Sequence, residues 1–275
     1  MVVVESAGMT DVGCKRAGNE DSFFVSDDLK LYVVADGMGG HQAGEVASRV
    51  VIETMKSYME RFADGTEVEE LADTDTGLTR ESNRMLAAIQ LANSSVFSIS
   101  QSKDSCRGMG STVSAVWFTD DSFVAANVGD SPIYLIQGDS IELLSVPHTV
   151  LAEQASMAGD DEVQIDEKFR HMLTRGMGVG ETVDADICEN QCYKGNTFVI
   201  CSDGLSDKLN PDEILLVVKG ETPDQACRRL IDMAKERGGE DNITVIVVRV
   251  KKMKRASRGS LFSTWLERIT TRLQG

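Results

Sequence analysis

The sequence predicts an α+β fold in which antiparallel sheets pack together with helices outside them. Three observations carry this. Short runs rich in β-branched and aromatic residues dominate the chain. Several are joined by tight turn signals such as Thr119-Asp120-Asp121 and Gln137-Gly138-Asp139-Ser140, which suit hairpins rather than crossover helices. Helical periodicity is confined to one block after the early strands and another before the last, a segregation that belongs to α+β domains.

Strand runs fall at 22–25 and 31–35, and the first helical stretch follows at 44–62, with Val46, Val50, Val51, Met55, Tyr58, Met59 and Phe62 at three- and four-residue steps. The second, over 79–101, repeats the pattern with Met85, Leu86, Ile89, Ala92, Val96 and Ile99. A run of strands then occupies 112–118, 122–126, 133–136, 141–144 and 197–201. Asn210 followed by Pro211 starts a short helix as cap and first helical residue. The Thr222-Pro223-Asp224-Gln225 capping box starts another, which ends near Gly238-Gly239. The last strand spans 243–250. Residues 64–78 and 150–169 are polar and poorly periodic and read as loops, the second long enough to be a lid.

At 275 residues the chain suits one large domain or two small ones and can bury a sizeable core. It divides into a domain over 1–250 and a tail over 251–275. The net charge of −16 is uneven. The tail holds seven Lys or Arg against one Glu, so residues 1–250 carry 21 basic against 43 acidic side chains, a net −22. That body is a poor partner for nucleic acid. No basic start with a long apolar centre marks a signal peptide, and no apolar run approaches the roughly 20 residues of a membrane helix, so a cytoplasmic protein is expected. The six cysteines form no CxxC pair and the three histidines no zinc signature.

Chemistry concentrates in five acidic segments. Four are read as placing an Asp where an apolar strand stops and a glycine or small polar residue follows: Val34-Ala35-Asp36-Gly37, Gly129-Asp130-Ser131, Ser202-Asp203-Gly204 and Glu240-Asp241-Asn242. The fifth, Asn19-Glu20-Asp21-Ser22, puts an Asp just before a strand. Any one of them alone reads as a turn. Together they are less easily turns, because carboxylates gathered in one crevice raise one another's pKa unless a cation compensates. An all-oxygen set without His or Cys suits Mg²⁺ or Mn²⁺ rather than Zn²⁺. The residues alone leave both readings open, a set of turns or a two-metal hydrolase.

The ordered set Arg16-x-x-Asn19-x-Asp21, Asp36-Gly37-Met38-Gly39-Gly40-His41, Gly110-Ser111-Thr112, Gly129-Asp130-Ser131, Ser202-Asp203-Gly204 and Asp241-Asn242 resembles the metal-dependent Ser/Thr protein phosphatases, the PPM or type 2C family, in their bacterial single-domain form. The likeness runs from about residue 10 to 250. It implies a four-layer α-β-β-α sandwich, two antiparallel sheets flanked by helices with a dinuclear metal site at one end. It implies that Asp36 bridges two Mn²⁺ or Mg²⁺ ions, that the Gly37 carbonyl binds one of them, and that Asp203 and Asp241 hold the second. Asp21 joins the cluster directly or through water. Arg16 grips the phosphate of a phosphoserine or phosphothreonine protein while a metal-activated water attacks it, so Asp36, Asp203 and Asp241 are the catalytic set. Asp130 with Asp203 holds a weaker third ion, and Asp207 is a further addition there. The counterpart is a Ser/Thr protein kinase, and the protein is a monomer.

Three departures bear on loop geometry rather than reaction class. Met38 stands where some members carry a histidine that protonates the leaving group, which leaves His41 as a candidate general acid behind a metal-bound water. Pro132 replaces the usual Arg after Gly-Asp-Ser, and Pro147 the usual Asp before His148 and Thr149. Residues 150–169 fall where bacterial members carry a mobile flap, and His171 and Arg175 after it read as a packed or surface pair. In the tail, Leu261, Phe262, Trp265, Leu266, Ile269 and Leu273 fall at helical spacing behind a basic run, a candidate for contact with a partner or a membrane surface. The alternative for the whole chain is a pseudophosphatase, a phosphoprotein-binding module without turnover; the intact acidic set argues against it.

Overall fold

The computed structural model describes residues 2–39, 42–66, 68, 75–158, 169 and 172–253. Within them the chain runs β1 (Val2–Asp11), β2 (Asp21–Ser26), β3 (Leu31–Met38), α1 (Gln42–Ala63), α2 (Arg80–Ser102), β4 (Gly110–Ser111), β5 (Val113–Phe118), β6 (Ser122–Val128), β7 (Ile133–Gln137), β8 (Ser140–Leu143) and α3 (Val150–Ala158). It continues through β9 (Asp186–Gln191), β10 (Thr197–Cys201), α4 (Asp203–Ser206), α5 (Pro211–Gly220), α6 (Pro223–Glu236) and β11 (Ile243–Met253).

Two sheets form, in the orders β1-β11-β10-β7-β8 and β2-β3-β5-β6-β9, with β4 added beside β3; the paired strands are antiparallel. Three apolar layers hold them. Alternate residues of a strand face opposite ways, so Val33 joins Met55, Met85 and Ile89 beneath α1 and α2 while Val34 points into the seam between the sheets. In the other sheet Phe198 enters the same seam, and Val199 and Val247 pack outward against Leu230 and Ile214 of α6 and α5. Phe118 and Phe123 meet the Phe198 ring edge-on, at 5.1 and 4.7 Å between centroids, the arrangement aromatic quadrupoles favour. The result is the expected α-β-β-α sandwich.

Thr79, not among the expected caps, accepts from the Ser82 N–H at the start of α2. The expected cap at Asn210 is present. Asn210 and Glu213 satisfy each other's backbone N–H groups at 3.0 and 3.1 Å. Asn210→Ala is expected to cost about 1 kcal/mol, read as a fall of roughly 2–4 °C in Tm. Differential scanning calorimetry checks this.

Three elements depart from expectation. β1 and β9 are strands that the apolar pattern did not mark, because polar and small residues interrupt them: Glu5-Ser6-Ala7-Gly8 breaks the apolar run of β1, and Asp-Ile-Cys-Glu-Asn-Gln over β9 is half-buried to exposed throughout. The first half of the expected 150–169 loop is helix α3, whose Leu, Ala, Glu, Gln and Met are strong helix formers and whose start is capped by Thr149, which accepts from the Ala152 N–H. The rest of that segment, residues 159–168, lies outside the described residues, as do His171 and the tail from 254 onward. β11 runs to Met253, three residues past the expected domain boundary. Among the described residues no helix is long and apolar enough to cross a membrane.

Candidate metal centre

Strand ends deliver the acidic residues to one place. Asp36 lies near the end of β3, Asp130 follows β6, Asp203 opens α4 directly after β10, and Asp241 precedes β11. Asp36, Asp130, Asp203 and Asp241 line one cleft of about 440 Å³, together with Arg16 and Glu20. Gly37 and Met38 complete its floor, and Leu173 stands at its wall.

Backbone and hydroxyl contacts fix these acids. Asp36 donates its N–H to Thr112 Oγ1 (3.0 Å), and its carbonyl accepts from the Thr112 N–H (2.8 Å) and Ser111 Oγ (2.9 Å). Thr112 Oγ1 also lies 2.8 Å from Ser131 Oγ, so the Gly-Ser-Thr and Gly-Asp-Ser motifs lock together and set Asp36 against Asp130. Asp21, opposite Asp36 in the β2–β3 register, is buried behind the cleft. Its Oδ2 accepts from Ser202 Oγ (2.8 Å) and Thr244 Oγ1 (2.6 Å). Because the Thr244 hydroxyl is spent on Asp21, Thr10 donates to Thr244 and Asn19 Nδ2 donates to Thr10, a directed chain that ends on the carboxylate.

Close backbone approach explains two of the glycines. A Cβ on Gly37 would lie 2.1 Å from the Gly44 carbonyl, where the first turn of α1 crosses the metal loop. One on Gly204 would lie 2.0 Å from the Asn242 carbonyl, which brings Asp203 and Asp241 side by side.

Electrostatics oppose the arrangement. Burial pushes the Asp203 carboxyl up to about 8, with further lift from Asp130, Asp207 and Asp241. Burial raises Asp21 to about 6 against the opposing pull of the Thr244 and Ser202 hydroxyls. Asp36 is driven well above the carboxylate range by burial, then by Asp21, Asp203 and Asp130. Asp21 Oδ1 and Asp203 Oδ1 are buried with no hydrogen-bond partner among the described residues. Such oxygens demand a proton or a cation. Among the described residues no three His, Cys, Asp or Glu side chains are grouped closely enough to hold a metal ion as they stand. The donor set, all oxygen and anionic, fits Mn²⁺ or Mg²⁺.

Among the described residues that line the cleft, Arg16 is the one with a cationic side chain. Its Nη2 sits 2.7 Å from Asp241 Oδ2, while Asp241 Oδ1 accepts from the Asn242 N–H. The bond to Asp241 comes first among the causes that raise the guanidinium pKa, with the charges of Glu20 and Asp36 adding to it.

Of the residues singled out in the sequence, Asp36, Gly37, Asp130, Asp203, Asp241 and Arg16 meet in the cleft, and Asp21 supports it from behind. Asp207 is exposed and does not line it; it reaches Asp203 through its field and by a backbone bond to the Asp203 carbonyl. His41 lies outside the described residues. Three supports went unread in the sequence. Asn242 accepts from the Glu20 N–H and donates to the Val12 and Gly18 carbonyls, which staples the Arg16 loop to the Asp241 strand. Thr112 and Ser131 were seen as motif letters without a task. His148 is buried, and its Nδ1 accepts the Gly129 N–H (3.1 Å), so Nε2 carries the proton and donates to Asp186 (2.8 Å). Arg175 pairs with the same Asp186 at 3.7 Å. The signal for His148 was its place beside the turn, but nothing local indicated that it reaches Gly129.

Comparison with known proteins gives concordant findings. Residues 15–243 match the family described as Protein phosphatase 2C. A protein phosphatase 2C-type chain of Streptococcus pyogenes is 32% identical over 87% of this chain and 94% of its own length. The crystal structure of the Mycobacterium tuberculosis serine/threonine phosphatase PstP superposes with a TM-score of 0.77 at 27% identity, over 91% of this chain and 100% of that one. The PstP catalytic domain in complex with two manganese ions gives 0.76 at 28%, over 92% and 100%.

Proposed function

Because the chain belongs to the protein phosphatase 2C family of metal-dependent serine/threonine protein phosphatases, we propose that its cleft hydrolyses phosphoserine and phosphothreonine in proteins with Asp36, Asp203 and Asp241 as the residues that hold two divalent cations. The observation that carries this is the set of acids on one cleft, with Asp36 and Asp203 raised by burial and by neighbouring carboxylates, and with Asp21 Oδ1 and Asp203 Oδ1 buried without hydrogen-bond partners among the described residues. Bound Mn²⁺ or Mg²⁺ would supply the missing positive charge and a water acidic enough to attack phosphorus near neutral pH.

The chain's own residues do the rest. Asp36, pinned by Thr112 and Ser111, faces both neighbouring acids, and the Gly37 carbonyl adds an uncharged donor beside it. Asp21 holds the inner side of the cluster. Asp130 beside Asp203 offers a weaker third position, to which Asp207 contributes only field. Arg16 presents a planar fork to phosphate oxygens, a geometry lysine does not reproduce. The leaving oxygen takes its proton from water in this reading, with His41 as the alternative donor. The substrates are phosphoproteins and the counterpart a Ser/Thr protein kinase. The protein acts as a cytoplasmic monomer, and the partner of its basic tail is another protein or a membrane surface.

The test is phosphate release from a phosphothreonine peptide, with Mn²⁺, without it and with EDTA, beside a phosphodiester control. Turnover that survives EDTA, or a preference for the diester, would overturn the reading. Arg16→Ala is expected to lower kcat/KM about ten- to hundredfold, the range for losing a charged hydrogen bond, with Mn²⁺ still bound. Unchanged kinetics on the peptide would remove Arg16 from the site.

A further inference from the structure

Arg16 and Asp241 each have two claimants. Asp241 Oδ2 is held by Arg16 Nη2 at 2.7 Å and its Oδ1 by the Asn242 N–H, so both oxygens of a proposed metal ligand are already engaged. Arg16 spends on that carboxylate part of the planar fork that a phosphate would otherwise engage. The two side chains stay half-exposed, at 51% and 37%, so either can swing without disturbing the core. Their backbones cannot separate, because Asn242 ties the Arg16 loop to the Asp241 strand through Val12, Gly18 and Glu20.

We infer that the Arg16–Asp241 pair is an exchangeable latch that couples the two ligands of the site: a divalent cation that recruits Asp241 releases Arg16 toward phosphate, and a phosphate that recruits Arg16 releases Asp241 toward the cation. The inference rests on the dinuclear reading above. Linkage requires the coupling to be reciprocal. Its size is bounded by the pair itself. A half-exposed ion pair is worth at most about 1 kcal/mol, so opening the latch shifts an affinity by about three- to fivefold.

Calorimetric titration of Mn²⁺ into phosphate-free protein tests this by a double-mutant cycle. Arg16→Ala is expected to bind Mn²⁺ about three- to fivefold more tightly than wild type, since Asp241 no longer has to be pulled from the guanidinium. In the Asp241→Asn background the same substitution should change Mn²⁺ affinity by less than about 1.5-fold, because no carboxylate remains to be released. Equal tightening in both backgrounds would mean simple repulsion between Arg16 and the cation, and would overturn the latch. No tightening in either would overturn it as well. Failure of the dinuclear reading looks different: wild type itself would take up no Mn²⁺, and the latch would fall with it. A second measurement approaches from the other side. Inorganic phosphate should bind metal-free Asp241→Asn about three- to fivefold more tightly than metal-free wild type, and more tightly than metal-free Asp36→Asn, which removes a nearby charge without freeing Arg16. Equal phosphate affinity in the two variants would count against the latch.

Discussion

Asp36→Asn is expected to yield a folded protein that releases phosphate from a phosphothreonine peptide at least about a thousandfold more slowly than wild type at saturating Mn²⁺, a loss of roughly 4 kcal/mol in transition-state stabilisation. The fold should survive, because the structural contacts at this position are made by the backbone: the N–H to Thr112 Oγ1 and the carbonyl to Thr112 and Ser111. The carboxylate itself is a burden to the metal-free fold, pressed by burial and by Asp21, Asp203 and Asp130. Its neutral isostere should therefore unfold at an equal or higher temperature when metal is absent. Loss of activity without loss of stability separates a functional acid from a structural one. Residual turnover above about a tenth of wild type would remove Asp36 from the catalytic set, and a collapse in Tm would show that the carboxylate holds the fold.

Much of this site could be read in the sequence because strand ends announce themselves. Where a strand is covered on both faces its sequence is continuously apolar, as in Val33-Val34-Ala35 and Phe198-Val199-Ile200-Cys201, and the first acid or glycine after it marks the rim of the sandwich. Asp36 and Asp203 were legible for that reason. Strands β1 and β9 were not, since polar and small residues interrupt the apolar pattern of each. Long-range side-chain contacts were equally silent. Nothing near Asn242 in the chain says that it will staple residues more than 220 positions away, and nothing around His148 says that its ring will accept the Gly129 N–H. Asp207 shows the converse. The family resemblance implied that it shares an ion with Asp203, yet one turn of α4 leaves it exposed and away from the cleft lining. Helix α3 was hidden because its polar residues resemble a loop, although their intrinsic propensity is helical.

Stripping the metal should make stability fall as pH rises, against the usual direction for carboxylates. A carboxyl whose folded pKa lies above its unfolded value of about 4 holds its proton more tightly in the native state. Its folded form is thus favoured at low pH and loses that advantage as pH climbs through the folded pKa. With unfolded values near 4, Asp21 at about 6 and Asp203 at about 8 place the loss between about pH 4 and 8, Asp21 contributing up to pH 6 and Asp203 throughout. The two groups interact, so their shifts do not sum independently. A combined loss of about 2–3 kcal/mol is expected, which for a domain of this size lowers Tm by roughly 5–10 °C across that window. Saturating Mn²⁺ should flatten the profile, because a bound cation keeps the acids ionised in the fold, and at a hundred times its Kd a ligand adds about 2.7 kcal/mol per site. Asp203→Asn in EDTA should remove the upper part of the slope and raise Tm at pH 8 above that of wild type. Thermal unfolding in EDTA and in Mn²⁺ at half-unit steps of pH decides the matter. A profile in EDTA that is flat or rises toward pH 8 would mean that the acids carry compensating charge already, and the case for cations as what completes this cleft would be lost.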